Sequence, residues 1–292
     1  SSGGFDLLQL AEAEDGRVVP RALCGVLRTQ VLMAGSSQPV RAVMGLFYKA
    51  QDELNKEFWE DQVRRLLDVI AEEHVGRTGG VQLMVHHNPP AWPIGLEVGD
   101  HRLLAELDAL HLFGGATSCN TETMQHMPDI GLREMLQRRD EYGLVSFHEV
   151  VMQEASKLES PNVPAKGLHV YRVEGAPVCG VRLLSILPTK IVCGAAWARE
   201  GHEAELVQLL MTLRKQARRW VCSVVADRRD ENFQRLCRAA PQYAWTLHRP
   251  MKIAITGVPV KMTEEEQVQL LQQPLLVPWE FLPYHSGRVV LM

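Results

Sequence analysis

Two rhythms of apolar residues run along this chain. Alternating or continuous apolar runs predict strands at Pro20–Met33, Val40–Ala50, Val81–His87, Thr189–Ala198 and Trp220–Asp227. Gly167–Leu187 reads as a hairpin that turns at Glu174-Gly175-Ala176, and Tyr243–Ile255 as a strand broken or bulged at Pro250. Helical spacing appears where Trp59, Val63, Leu66, Leu67 and Ile70 share one face, with Glu60, Asp61, Arg64, Arg65 and Asp68 on the other. It returns in Leu206, Leu209, Leu210, Leu213 and Ala217, and a short helix is expected over Glu231–Ala239. Three stretches complete the reading: Phe5–Glu14 as a short helix or tail, His101–Met127 as a helix then a strand, and Gly131–Leu158 as helical at both ends.

Laid side by side, the halves echo one another. Ala22–Val26 (ALCGV) answers Pro177–Val181 (PVCGV), and Ala42–Ala50 answers Lys190–Ala198. Each pair precedes an amphipathic helix and a hydrophobic strand, which is the mark of an internal duplication. The expected organisation is two units, 1–130 and 131–292, joined near the turn-rich stretch Leu158–Gly167. The fold class is α/β, with mixed sheets and helices on both sheet faces.

The strand–strand–strand–helix–strand–helix–strand order of the second half resembles the general N-acetyltransferase (GNAT) superfamily, and the duplication resembles its tandem members. The resemblance implies a central strand at Ile191–Trp197, a phosphate-binding helix at Glu203–Arg219 and a following strand at Val221–Asp227. It also implies that the central strand splays from its neighbour, freeing backbone groups for the pantetheine arm of acetyl-CoA or another acyl-CoA. The cofactor-binding candidates carried over are Cys193, Gly194 and Ala195 on the central strand, Arg199, Gly201 and His202 before the helix, and Asn232 early in the later helix.

The family's Q/R-x-x-G-x-G/A loop turns backbone N–H groups toward a pyrophosphate. This sequence departs from it. Placing Gly201 as the first glycine puts Ala198 in the Q/R place and Glu203 in the last place, whereas using Arg199 and Ala204 as the ends leaves Gly201 one position early. The matching stretch of the first half, Tyr48–Phe58, has no glycine and several acidic residues, so that unit is expected to be degenerate and structural. The family's catalytic tyrosine position falls at Cys237 or Ala239, and no catalytic residue is assigned.

Composition narrows the partners. The net charge of −4 over 292 residues gives no global pull toward nucleic acid, and the basic run Arg214–Arg219 reads as a solvated helix face. Six cysteines without a CxxC pair favour a reducing intracellular compartment over disulfides or a structural metal. No apolar run reaches membrane-spanning length, so a soluble chain is expected. The Arg139–Glu149 stretch resembles the second half of a calcium loop, but of Arg138, Asp140 and Tyr142 in the first, third and fifth places only one could be a ligand, and adjacent His86 and His87 would point to opposite faces of a strand. Cys237 as a nucleophile would need His248 as its base.

The tail, with Trp279, Phe281 and Tyr284, either packs back or docks on a partner. The leading reading is a catalytically silent tandem protein that serves as a structural or interaction subunit of a larger assembly, with protein partners met through 274–292. The alternative is an acyl-CoA-dependent N-acyltransferase. Nucleic acid enters only within a ribonucleoprotein.

Overall fold

A computed structural model describes residues 5–32, 40–48, 80–87, 102–114, 124–127, 148–151, 167–260, 262–272 and 275–276. The chain divides into two compact units that interleave along the sequence. Unit 1 comprises Ser1–Glu106, His148–Gln153 and Lys252–Leu275, and unit 2 comprises Leu107–Phe147, Glu154–Met251 and Leu276–Met292.

Unit 1 contains β1 (Phe5–Glu14), β2 (Arg17–Leu32), β3 (Val40–Tyr48) and β4 (Gly80–His87). β1 is antiparallel to β2 and β2 to β3, β3 runs parallel to β4, and residues Ile253–Val260 pair antiparallel with β4. Unit 2 takes most of β5 (Arg102–Gly114), with β6 (Met124–Met127). β7 (His148–Val151) belongs to unit 1, where it pairs with the end of β2. Unit 2 continues with β8 (Gly167–Val173), β9 (Ala176–Ile186), β10 (Lys190–Ala198), α1 (Glu203–Gln216), β11 (Val221–Asp227) and α2 (Glu231–Ala239). β12 (Trp245–Val260) gives its first residues to unit 2 and the rest to unit 1, followed there by α3 (Glu264–Gln272). A two-residue strand, β13, closes the described chain at Leu275–Leu276.

Within unit 2 the sheet order is β5-β11-β10-β9-β8-β6, with β10 parallel to β11 and every other pair antiparallel. The two units therefore repeat one pattern, an antiparallel hairpin feeding a parallel pair that an antiparallel strand flanks. Both hairpins turn through two residues at positive φ, Asp15-Gly16 (49° and 74°) and Glu174-Gly175 (50° and 81°). That backbone matches the strand twist, and glycine adopts it without steric cost. Arg172 adds a staple by donating to the Gly175 carbonyl at 2.9 Å.

Three sequence expectations are corrected. Phe5–Glu14 is a strand, not a helix or tail, because it forms a ladder with β2. The helix expected at the start of His101–Met127 is β5, whose run Leu107–Leu110 is buried at every position. A strand buried on both faces lacks the alternation that would distinguish it from a helix. His148–Val151, inside the stretch read as helical at both ends, is β7. The Trp59–Ile70 helix, the Pro-rich stretch after His87, the 139–147 loop and the aromatic tail from 277 onward lie outside the described residues.

α1 and α2 cover one face of the unit 2 sheet. Leu206, Val207, Leu209, Leu210 and Leu213 of α1 and Phe233 and Leu236 of α2 pack with Leu110, Ile191, Cys193, Cys222 and Val224 in one core. Each such aliphatic side chain contributes about 1.5–3 kcal/mol by leaving water. The opposite face carries a cross-strand row of Ser185, Val192, Ser223 and His111, set by the registers of adjacent strands.

Candidate functional site at the splayed strand pair

β10 and β11 start together and then part. Their parallel pairing runs from Lys190↔Val221 to Cys193↔Val224 and stops, although β10 continues to Ala198 and β11 to Asp227. β10 stays on β9 through Trp197↔Gly180 and Ala198↔Cys179. A bulge between Gly194 and Trp197 bends it, and Ala195 sits at φ 47° within that bulge. The splay implied by the GNAT resemblance is therefore present in unit 2. Trp197 packs so closely on β9 that a Cβ on Gly180 would lie 2.6 Å from its indole nitrogen.

The splayed end of β10 is occupied by side chains of α2. The Ala198 N–H donates to Asn232 Oδ1 at 3.5 Å, and Arg235 Nη2 donates to the Ala198 carbonyl at 2.5 Å. Arg235 Nη2 also donates to Asn232 Oδ1 at 2.6 Å, and Arg235 Nε lies 3.7 Å from Glu203 Oε1 in the first turn of α1. One arginine thus ties the end of β10, α2 and the start of α1 together. α2 is itself fixed by Asp230, whose carboxylate accepts from Asn232 N at 2.9 Å and Phe233 N at 3.3 Å.

The other sequence candidates fall in different surroundings. Cys193 is fully buried in the helix-covered core with its Sγ 3.9 Å from Cys222 Sγ. That hydrogen bond, and then burial, hold its thiol well above the usual range. Gly194 is buried and Ala195 half-buried in the bulge, while Arg199 and Gly201 are exposed. Gly201 takes φ 84°, and the turn is closed by His202 N–H donating to the Arg199 carbonyl at 3.0 Å. His202 is the N-cap of α1 but makes no side-chain cap bond, and its Nδ1 lies 3.5 Å from Glu205 Oε1.

The start of α1 does not fit a pyrophosphate. Glu203 and Glu205 stand in its first turn, where they already answer the positive end of the helix dipole. At the pantetheine position the N–H and carbonyl of Ala198 are engaged by Asn232 and Arg235. Of the carboxylates near the splay, Asp227 is held by Arg229 Nη2 at 2.8 Å and Asp230 caps α2. Burial, with Asp108 nearby, pushes the Cys237 thiol up to about 12, which removes the thiolate a nucleophile needs. His248 instead bonds Asp108, Nε2 to Oδ2 at 2.9 Å, and stacks edge-on against Phe233.

Two polar clusters escaped sequence reasoning. Asp108, almost buried, joins His248 and Arg228, whose Nε donates to its Oδ1 at 3.2 Å. His111 Nδ1 and Ser223 Oγ lie 2.8 Å apart on paired strands. Burial, then Lys190 and Arg249, lower the His111 pKa. His111 and Ser223 are 112 residues apart and Asp108 lies 120 and 140 from Arg228 and His248, so only the placement of β5 beside β11 and β12 could have revealed them. Among the described residues no group of His, Cys, Asp and Glu could hold a metal ion, and no helix is long and apolar enough to cross a membrane.

No protein-family model matches the chain, and no curated protein matches it. Among solved structures it resembles a GCN5-related N-acetyltransferase from Kribbella flavida at 12% identity and TM-score 0.46, covering 82% of this chain and 92% of that one. A tandem GNAT protein from the clavulanic acid biosynthesis pathway matches at 10% identity and TM-score 0.45, covering 90% and 86%. A probable N-acyltransferase of unknown function from Enterococcus faecalis V583 matches at 12% identity and TM-score 0.45, covering 83% of this chain and 60% of that chain. The GNAT-like, mixed-sheet α/β character of unit 2 is carried by its own strand order, parallel pair and splay.

Proposed function

We propose that this chain is a catalytically silent tandem GNAT-like protein that serves as a binding subunit of a larger assembly. The observation that carries the reading is the closure of the splay by α2, with Asn232 and Arg235 holding both backbone groups of Ala198. The first-turn carboxylates Glu203 and Glu205 support it, because a diphosphate brought to them would meet like charge. Exposed Trp220 and Trp245 suit a chain whose work is contact.

Titration of the full chain with acetyl-CoA in a calorimeter tests the proposal. No heat of binding is expected at millimolar ligand. Saturable one-to-one binding that Gly201→Glu abolishes would overturn it in favour of the second reading, an acyl-CoA-dependent N-acyltransferase. That reading draws on the splay and bulge of β10, which leave the pairing with β11 incomplete beyond Cys193. Under it, positioning of an amine against the thioester would supply most of the rate.

A further inference from the structure

The end of unit 2 away from the splay, where β10 and β11 begin, gathers positive charge and exposed aromatic rings. Trp220 N–H donates to the Thr189 carbonyl at 3.0 Å, which sets Trp220 beside Lys190 at the start of the parallel pair. The last turn of α1 arrives at the same place, because Arg214 Nη1 donates to the carbonyls of Arg219 and Trp220 at 3.2 and 3.1 Å. Arg219 Nε in turn donates to the Leu187 carbonyl at 2.6 Å. These two arginines fix the loop and leave Lys215 and Arg218 exposed. β5 brings its own end to the same region through Leu112↔Cys222, carrying Phe113, whose ring lies 6.3 Å from that of His111. β12 meets β5 through the His248–Asp108 bond at 2.9 Å, with Arg249 next along the strand, and the charges of Lys190 and Arg249 both lower the His111 pKa.

No carboxylate answers this charge among the described residues. The described ion pairs engage Arg228, Arg229, Arg235, His202 and His248 instead. Lys190 is half-buried, and burial lowers its pKa, so its ammonium is partly stripped of water with no carboxylate partner among the described residues. Trp220 is 78% exposed and Trp245 80%, so both indole faces are open to a ligand. Trp245 and Arg249 are four residues apart on β12, so strand alternation sets them on one face about 13 Å apart. That separation is on the order of two nucleotides of extended single strand.

We propose that this end of unit 2 binds single-stranded nucleic acid, with Lys190, Lys215, Arg218 and Arg249 on the phosphates and Trp220 and Trp245 stacked on bases. Cations supply the phosphate attraction, and exposed aromatic faces accept any base. A duplex cannot offer its base faces to the two indoles, which is why the ligand is single-stranded. The inference rests on the reading of the chain as a binding subunit and names its partner.

The test is fluorescence anisotropy of the full chain with a labelled oligouridine of about ten nucleotides, a length within the usual range for one such platform. Binding is expected to weaken with salt, and Lys190→Gln and Arg249→Gln should each lower the slope of log affinity against log salt by about 0.7. Trp220→Ala and Trp245→Ala should each weaken binding by about fivefold to a hundredfold, the loss of one stacked base. Both tryptophans are exposed, and unchanged far-ultraviolet circular dichroism would show that the fold is intact. Absence of binding, binding indifferent to the tryptophan variants, equal affinity for a duplex, or binding to anionic lipid vesicles in place of the oligonucleotide would each overturn the proposal. Heat from acetyl-CoA on the same preparation would sink the silent reading and leave the anisotropy result standing.

Discussion

Replacing Asp230 by asparagine separates two roles of one side chain. Asp230 caps α2, yet it is 1% exposed and its Oδ2 has no partner among the described residues. Burial raises its pKa from 3.8 to about 6, Asp227 adds to the rise, and the bonds from Phe233 and Asn232 and the charge of Arg235 oppose it. The carboxyl is thus more basic in the fold than in the unfolded chain. Its favourable contribution is complete below pH 3.8 and is lost as the pH climbs through about 6. At about 1.4 kcal/mol per pKa unit, the two-unit rise corresponds to about 3 kcal/mol, of which about 2–3 falls between pH 4 and 7.5. Asparagine keeps the accepting oxygen and cannot ionise. Its buried NH2 would cost about 1–3 kcal/mol at every pH, so the absolute stability of the variant is a poor measure. The difference between wild type and Asp230→Asn, followed by urea unfolding across pH 4–7.5, is the sound one. That difference should shift by about 2–3 kcal/mol in favour of the variant as the pH rises. Parallel curves for the two proteins would refute the argument, since Asp230 would then titrate alike folded and unfolded.

Gly180→Ala should destabilise unit 2 by about 1–3 kcal/mol, read from the urea midpoint, because its new Cβ meets the Trp197 ring at 2.6 Å. An unchanged midpoint would mean that the bulge of β10 yields freely. Cys237 should alkylate with iodoacetamide at pH 8 about a thousandfold more slowly than a free thiol, as its rise from 9.0 to about 12 dictates. Peptide mapping by mass spectrometry reads the rate, and ordinary reactivity would contradict the burial argument. Arg235→Met should cost about 1–3 kcal/mol by stranding the Ala198 carbonyl, and calorimetry should still record no acetyl-CoA binding because Glu203 remains.

Much of unit 2 was legible in the chain because its signals agree. The Glu174-Gly175 turn, the apolar run of β10 and the helical spacing of Leu206, Leu209, Leu210 and Leu213 each have one reading, and the structure adopts it. β5 was misread because Leu, Ala and Glu favour a helix on their own, whereas the pairing Leu107–Leu112 with Asp227–Cys222 decides its state. β1 was misread although Asp15-Gly16 is a strong hairpin signal, equivalent in its backbone to Glu174-Gly175. The splay could be expected from element order, but its closure could not. Asn232 and Arg235 meet Ala198 across 34 and 37 residues of sequence, and nothing local to them announces the contact. The same holds for Asp108 with His248, 140 residues apart.

The interleaving of the units bears on how the chain can be made. Residues Leu107–Gly114 are synthesised early yet complete the sheet beside β11, and Lys252–Val260 emerge late yet close the sheet beside β4. A nascent chain halted before residue 252 would hold a first unit with one edge still waiting for its strand. No single cut can free either unit with all its strands, so truncation should yield fragments prone to edge-to-edge association instead of two separable domains.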